Sequence, residues 1–401
     1  MDAVERFLCL SSCPTGYDFL GKCADMGIKV TVLTLDQHRD ADWPRECLEE
    51  VATMPPGLNR EQILNTVSWM ARSKRFDRVV ALHVHDLETA AQIREHMRVP
   101  GMGATTAGCY RDLLAQRVIA RAFGYPVPEF CRVLNYDQLR DFMARVPGPW
   151  VLRGRSDESF GSSPSIHDPE HLWRMLEQLG DAQSLYILEQ IVSGDVFHVA
   201  SIVSESEVKF SAVLQGGTLP LRAFRDGDVI SMTTVDRDSR EAKELTAMNR
   251  ALAPSLGMVR GVTQAEFLRT PAGNFYFLGI AAGVGGAPVD ESQFSGNPFG
   301  DTPFIDQLAY ASTGVNLWSE WAALEVGNLR HVNYPIPSSF DGYACSVLRL
   351  SQGTGPDLES INNPAIVSRV RNSTHAGLIL RAVDPQQMQN LIEEFRERLE
   401  S

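Results

Sequence analysis

A chain of 401 residues is too long for one ordinary core and predicts two or three domains. Its 44% hydrophobic and 22% charged residues are those of a soluble globular protein. The net charge of −13, from 37 basic and 50 acidic residues, argues against a nucleic-acid-binding surface and against a basic membrane-binding face, while leaving room for a local basic pocket that takes a phosphate. No apolar run approaches the ~18 residues of a membrane span, and Met1-Asp2-Ala3-Val4-Glu5-Arg6 lacks the order of a signal peptide. Seven scattered cysteines, odd in number and without a Cys-x-x-Cys, predict free thiols in a reducing cytoplasm. Asn372-Ser373-Thr374 fits a glycosylation acceptor by chance.

In chain order, residues 5–11 read as a short apolar strand. A turn with Pro14 and Gly16 leads to a helix through Leu20, Cys23 and Met26, closed by Gly27, and Lys29 to Thr34 form a β-branched strand. Strand, helix, strand with short connections predicts parallel pairing with a right-handed crossover. A helix over 61–73, a buried strand over 78–83 and an amphipathic helix from Leu87 to Met97 complete a Rossmann-like α/β unit. It lacks Gly-x-Gly-x-x-Gly, so dinucleotide binding in the usual way is not expected. After the break at 99–103, one helix is expected from Cys109 to Phe123, capped by Gly124 and stopped by Pro126 and Pro128. A strand at 130–133, a helix at 136–145, a strand at 150–153, a polar loop at 154–165, a helix at 168–179 and a strand from Leu185 to Val192 follow. Strand and turn signals then run to 278, interrupted by a helix at 238–256. Residues 303–326 read as helical, and 340–401 as short strands before a terminal amphipathic helix at 384–400.

Gln264-Ala265-Glu266-Phe267 and Phe275 to Gly286 read as two antiparallel strands joined by the Pro271-Ala272-Gly273-Asn274 turn and running into a glycine-rich loop. That shape resembles the metal-binding heart of the ATP-grasp superfamily, in which an acid on each strand holds the magnesium of ATP. Glu266 stands at the first acid and Gly279 at the second. Ala281 replaces an asparagine, and Gly283 replaces the arginine that would steady an acyl phosphate. Upstream, Arg111-Asp112, the Gly124–Pro128 turn and Pro149-Trp150-Val151-Leu152-Arg153 resemble the opening of the same domain, with Leu113 and Arg153 at its two lysine positions and Gly154 at the proline.

The resemblance implies an ATP-grasp fold: an N-terminal Rossmann-like pre-ATP-grasp α/β domain (1–104), the ATP-grasp domain (105–327, with the phosphate loop in 105–184 and the ATP and metal part in 185–327), and a C-terminal α/β segment (328–401). It implies ATP and Mg2+ as cofactors, with metal binding weakened to the single acid Glu266. The implied nucleotide contacts are Arg153, Gly161 and Ser162 of the phosphate lid, and Glu189, Gln190, Ile191 and Val192 of the hinge, whose backbone meets the adenine edge. The lid also carries Asp157 and Glu158, which repel a triphosphate and equally fit a solvated loop. Arg153 reads either as a phosphate contact or as a salt-bridge residue, His198 as a packed histidine or a ligand, and Arg222 and Arg225 as carboxylate binders or turn residues. Asp226, Asp228, Asp290 and Glu291 are alternative sources of a second metal acid.

Two functions follow from the resemblance. One is a divergent, catalytically degraded carboxylate–amine ligase relative that binds a nucleotide or small metabolite, favoured by the joint change of Leu113, Arg153, Gly279 and Gly283. The other is an active ATP-dependent carboxylate–amine ligase of amino-acid or peptide type, working through an acyl phosphate with rearranged metal ligands. The partners implied are a small-molecule carboxylate or amine and a second copy of the chain in a homodimer.

Overall fold

The computed structural model describes residues 4–156, 164–216, 229–284, 304–335, 337–340, 342–350, 356–371 and 375–400. The first unit contains β1 (Arg6–Leu10), α1 (Tyr17–Asp25), β2 (Lys29–Leu35), β3 (Leu48–Met54), α2 (Arg60–Met70), β4 (Arg78–Ala81) and α3 (Leu87–Met97). Its sheet is parallel in the order β3-β2-β1-β4. Helices cover both faces of such a sheet, so β1 is apolar without alternation: Phe7 and Cys9 pack toward α1, Leu8 and Leu10 toward α2 and α3. The Rossmann-like reading holds. It lacked β3, an edge strand whose Glu49 and Glu50 hide the apolar signal.

The next unit is α4 (Ala104–Arg111), α5 (Leu113–Ala122), β5 (Phe130–Arg132), α6 (Tyr136–Arg145), β6 (Trp150–Gly154), β7 (Ser165–Ile166), α7 (Pro169–Leu179) and β8 (Tyr186–Gln190). The single helix expected over 109–123 is two. Asp112 adopts extended backbone and its carboxylate caps α5, accepting from the N–H groups of Leu114 (2.8 Å) and Ala115 (3.3 Å). Such a cap stabilises a helix by ~1 kcal/mol. Strands β5-β8-β6-β7 form a small antiparallel sheet with its own core of Val133, Leu139, Phe142, Trp150, Leu172 and Leu188.

The remainder is β9 (Asp195–Ser204), β10 (Glu207–Gly216), β11 (Val229–Thr234), α8 (Arg240–Ser255), β12 (Gly261–Arg269), β13 (Phe275–Ala282), α9 (Ile305–Thr313), α10 (Leu317–Leu329), β14 (Tyr343–Leu350), β15 (Ile366–Arg371), β16 (His375–Ala382) and α11 (Pro385–Glu400). The helical stretch expected over 303–326 breaks at Gly314, whose φ of 78° ends α9, and restarts where Asn316 caps α10. The strands form one sheet in the order β13-β12-β9-β10-β11-β14-β16-β15. The C-terminal strands therefore extend the sheet that carries β12 and β13. One face of this sheet packs on α9 and α10 and, through them, on β1 and α1; the other packs on α8 and the α4–α5 region.

Candidate functional site

The site is built where the small sheet meets the edge of the large one. Strand β13 is that edge, and its outward backbone groups need partners. Helix α5 supplies them. The Gln116 side-chain amide donates to Ile280 O and accepts from Ile280 N, both at 2.9 Å, so it replaces a neighbouring strand. Arg117 donates from Nη1 to Leu278 O (2.6 Å) and Phe277 O (3.3 Å). Leu113, at the position of a lysine in the resemblance, is buried against Leu114 and Ile187. Its N–H donates to Arg155 O at 2.8 Å, and Arg155 forks onto Asp112 at 2.5 and 3.2 Å. Sequence reading placed Asp112 inside one helix from Cys109 to Phe123. It is a cap and an ion partner instead.

Glu189 lies at the centre of this junction, 1% exposed, between two guanidinium groups. Arg117 Nε is 2.5 Å from Oε1, and Arg153 Nε is 3.2 Å from Oε2. Arg117 is 0% and Arg153 5% exposed, so all three charges sit away from water. Burial lowers the Arg153 pKa, and Glu189 opposes that shift. Arg153 thus has the ion-pair role that its sequence reading left open, while its buried Nε makes no hydrogen bond and its Nη1 and Nη2 carry none to a described residue. Arg117 Nη2 is buried without a partner among the described residues. The fully buried Arg117 is bound to Glu189 and the β13 backbone, which leaves the Nη donors of Arg153 as the ones a phosphate could meet.

The hinge continues from Glu189. Gln190 N donates to Glu129 O at 2.7 Å, and Gln190 pairs with Trp150. Ile191 and Val192 then leave the strand half-buried, and their backbone groups make no hydrogen bond to another described residue. A purine edge needs one donor and one acceptor, which such a segment offers whatever its side chains. Gly194 turns the chain into β9 pressed on the Arg269 backbone, where a Cβ would collide. Gly161 and Ser162, and with them Asp157, Glu158, Arg222, Arg225, Asp226, Asp228, Asp290 and Glu291, lie outside the described residues.

Across the large sheet, His198, Glu266 and Gly279 form one cross-strand row on β9, β12 and β13, with a bulge just after Glu266. Glycine thus faces the first acid. Glu266 is 3% and His198 4% exposed. His198 Nε2 lies 3.2 Å from Gly216 O, which accepts only from an N–H; the lone pair is therefore on Nδ1, 3.7 Å from Glu266 Oε1. Burial pushes the Glu266 carboxyl up to about 8, against the pull of Arg153 and Arg117. Burial takes His198 down to about 4, against its bond to Gly216. Both shifts favour the neutral forms, which argues against an ion pair, and 3.7 Å is too long for a hydrogen bond. Glu266 Oε2 is buried with no partner among the described residues.

The chemistry of an adenine nucleotide is compatible with these residues: open backbone at Ile191 and Val192, and guanidinium donors at Arg153. Magnesium is not compatible with them. It takes oxygen ligands, usually one or two carboxylates beside phosphates and water, and this row offers one desolvated carboxyl and an imidazole. No group of three or more His, Cys, Asp or Glu among the described residues could hold a metal. Gly283 differs from Gly279. Its φ of 116° is left-handed backbone, and a Cβ there would lie 3.9 Å from Val84, where β4 of the first unit has just ended. It is a backbone requirement rather than simply a missing arginine. Sequence reading missed Gln116, Arg117 and Arg155. The first two carried a signal, since both are polar at positions that the helical period of α5 assigns to its buried face.

No family model matches the chain. The L-arginine-specific L-amino acid ligase of Bacillus subtilis is 22% identical over 223 residues, so the chain spans about half (53%) of that curated relative, and the match covers 53% of this chain. Among solved structures, the L-amino acid ligase of Bacillus licheniformis superposes with a TM-score of 0.71 at 16% identity, covering 99% of this chain and 98% of that one. The biotin carboxylase domain dimer of Hydrogenobacter thermophilus 2-oxoglutarate carboxylase, in complex with MgADP, ADP and bicarbonate, gives 0.68 at 12% identity, covering 98% of this chain and 90% of that one. The chain has the ATP-grasp fold shared by these carboxylate–amine ligases and carboxylases. No helix among the described residues is long and apolar enough to cross a membrane.

Proposed function

We propose that this chain binds an adenine nucleotide between its small and large antiparallel sheets and has lost the magnesium-dependent ligase reaction. The observation that carries this reading is the row His198, Glu266, Gly279, in which the first metal acid faces a glycine and is itself desolvated. Phosphoryl transfer depends on preorganised charge at the transferring group, and a single neutral carboxyl beside a glycine does not supply it. The hinge at Ile191 and Val192 and the guanidinium donors of Arg153 support retention of the nucleotide. Nucleotide complexes among the structural neighbours support it as well. A homodimer and a cytoplasmic location belong to the same reading, supported by the dimeric neighbour and by the free cysteines.

A second reading is favoured by the likeness to L-amino acid ligases: an active ligase joining a small-molecule carboxylate to an amine through an acyl phosphate. Titration calorimetry with ATP and ADP, with and without Mg2+, separates the two when paired with phosphate release in mixtures of L-amino acids. The first reading expects nucleotide binding that Mg2+ changes less than about threefold, and no amino-acid-dependent phosphate release. Phosphate release that disappears in Glu266→Ala establishes the second reading instead.

A further inference from the structure

The positive charge expected at residue 113 stands one helical turn further along α5. Leu113 and Arg117 are four residues apart and share a face of the helix. Arg117 is 0% exposed, and Leu113 packs on Ile187 beside it. We propose that Arg117 is a positioning residue: by holding one oxygen of the Glu189 carboxylate, it keeps the Nη donors of Arg153 free for a phosphate.

Three observations carry this. The first is which oxygen each guanidinium meets. Arg117 Nε donates to Glu189 Oε1 at 2.5 Å, whereas Arg153 Nε lies 3.2 Å from Oε2 and makes no hydrogen bond there. The second is how firmly Arg117 is fixed. Its Nη1 donates to Leu278 O and Phe277 O, and its guanidinium carbon stands 5.9 Å from the centre of the Phe277 ring. A rigid planar group bound on one edge by β8 and on another by β13 is not free to turn away from Glu189. The third is what Arg153 leaves undone. Arginine and carboxylate frequently close into two parallel N–H···O bonds. Arg153 is buried against Glu189, yet its Nη1 and Nη2 carry no hydrogen bond to a described residue.

These facts describe a competition for one carboxylate. With Oε1 taken by Arg117, a single oxygen remains to Arg153, which approaches it side-on. Without Arg117 both oxygens open to Arg153, and closure into a fork commits at least one Nη donor to Glu189. Charge balance favours that closure, because one guanidinium and one carboxylate then remain together in the interior. The phosphate is that of a nucleotide, so to this extent the inference rests on the nucleotide reading above. The state of the fork does not.

The test compares the native chain with Arg117→Met and with the double variant Arg117→Met, Glu189→Gln, using ADP and adenosine in calorimetry. Arg117→Met keeps one guanidinium per carboxylate and is expected to fold. It should bind ADP at least tenfold more weakly and adenosine within twofold of the native chain. In the double variant the second acceptor oxygen is gone, and ADP affinity should return to within threefold of the native value. A merely structural Arg117 predicts the reverse: ADP and adenosine weaken together, and the double variant weakens further. Either of those results overturns the inference. Arginine side-chain 15N spectra of the nucleotide-free chain, assigned through Arg153→Lys, read the fork without any ligand. Slowed rotation about the Arg153 Cζ–Nε bond is expected in Arg117→Met and not in the native chain, and unchanged rotation overturns the inference. No binding of ADP or adenosine by the native chain removes the nucleotide reading, while slowed rotation in Arg117→Met still upholds control of the fork by Arg117.

Discussion

The two halves of the cleft treat charge in opposite ways. At the hinge, Glu189 is held by Arg117 and Arg153, and Arg117 is further bonded to the β13 backbone. Across from it, Glu266 is as deeply buried, but its Oε2 has no partner among the described residues and its Oε1 lies 3.7 Å from the His198 imidazole. Burial is the same on both sides; pairing is not. A buried charge is tolerated when its hydrogen-bonding capacity is filled and is otherwise neutralised. The hinge carboxylate therefore acts as structural glue between the two sheets, and the β12 carboxyl is a group waiting for a ligand.

The sharpest way to break this contrast is to remove the hinge acid. Glu189→Ala leaves two guanidinium groups in the interior without their counter-charge, and breaking a buried pair in this way costs about 3–5 kcal/mol. Denaturant unfolding of the purified variant measures it, and nucleotide affinity falls with it because Arg153 is no longer held. A loss under about 1 kcal/mol would mean that Glu189 is not the tie between the sheets.

The second test reverses the sign. The Glu266 carboxyl is raised to about 8 by burial, against about 4.3 unfolded. The folded state thus binds the extra proton, its contribution to stability is full below about pH 4.3, and it is lost as pH rises toward 8. The charged groups facing it, Arg153 and Arg117, reduce this penalty, and His198 stays neutral across the range. Relative to the native chain, Glu266→Gln should therefore gain several kcal/mol of stability, about 4 kcal/mol, between pH 5 and pH 9. Thermal unfolding at the two pH values checks it. Equal effects at both would place a buried counter-charge beside Glu266.

Much of this architecture could be read from the chain because it rests on local signals. The parallel unit is written in Phe7 to Leu10 and Lys29 to Thr34, and the β12–β13 hairpin around Pro271-Ala272-Gly273-Asn274, while the bulge after Glu266 that brings Gly279 opposite it is not. What stayed hidden depends on pairs far apart in sequence. Arg117 meets Glu189 across 72 residues and Leu278 across 161, and Arg155 meets Asp112 across 43. No spacing rule encodes such contacts. The break at Asp112 was missed for a local reason: an aspartate within an apolar helical period reads as an exposed turn of one helix unless its capping role is weighed.

The smallest test separates the two glycines that the resemblance treats alike, as two lost charges. Gly279 lies within β13 in ordinary strand backbone, and its side of the row is chemistry. Gly283 sits just past the strand with φ 116°, its N–H donating to Val262 O at 2.8 Å, and its side is geometry. A residue with a Cβ in left-handed backbone costs about 1–2 kcal/mol. Gly283→Ala should lose that much in denaturant unfolding, and Gly279→Ala should lose less. Restoring an acid through Gly279→Glu alone should then raise Mg2+ affinity in calorimetry. Adding Gly283→Arg should lower stability by about the alanine cost, because the arginine enters with the wrong backbone beneath it. Equal losses in the two alanine variants would show that the Gly279 row is packed too tightly to accept a carboxylate, and the contrast between chemistry and geometry on β13 would fall.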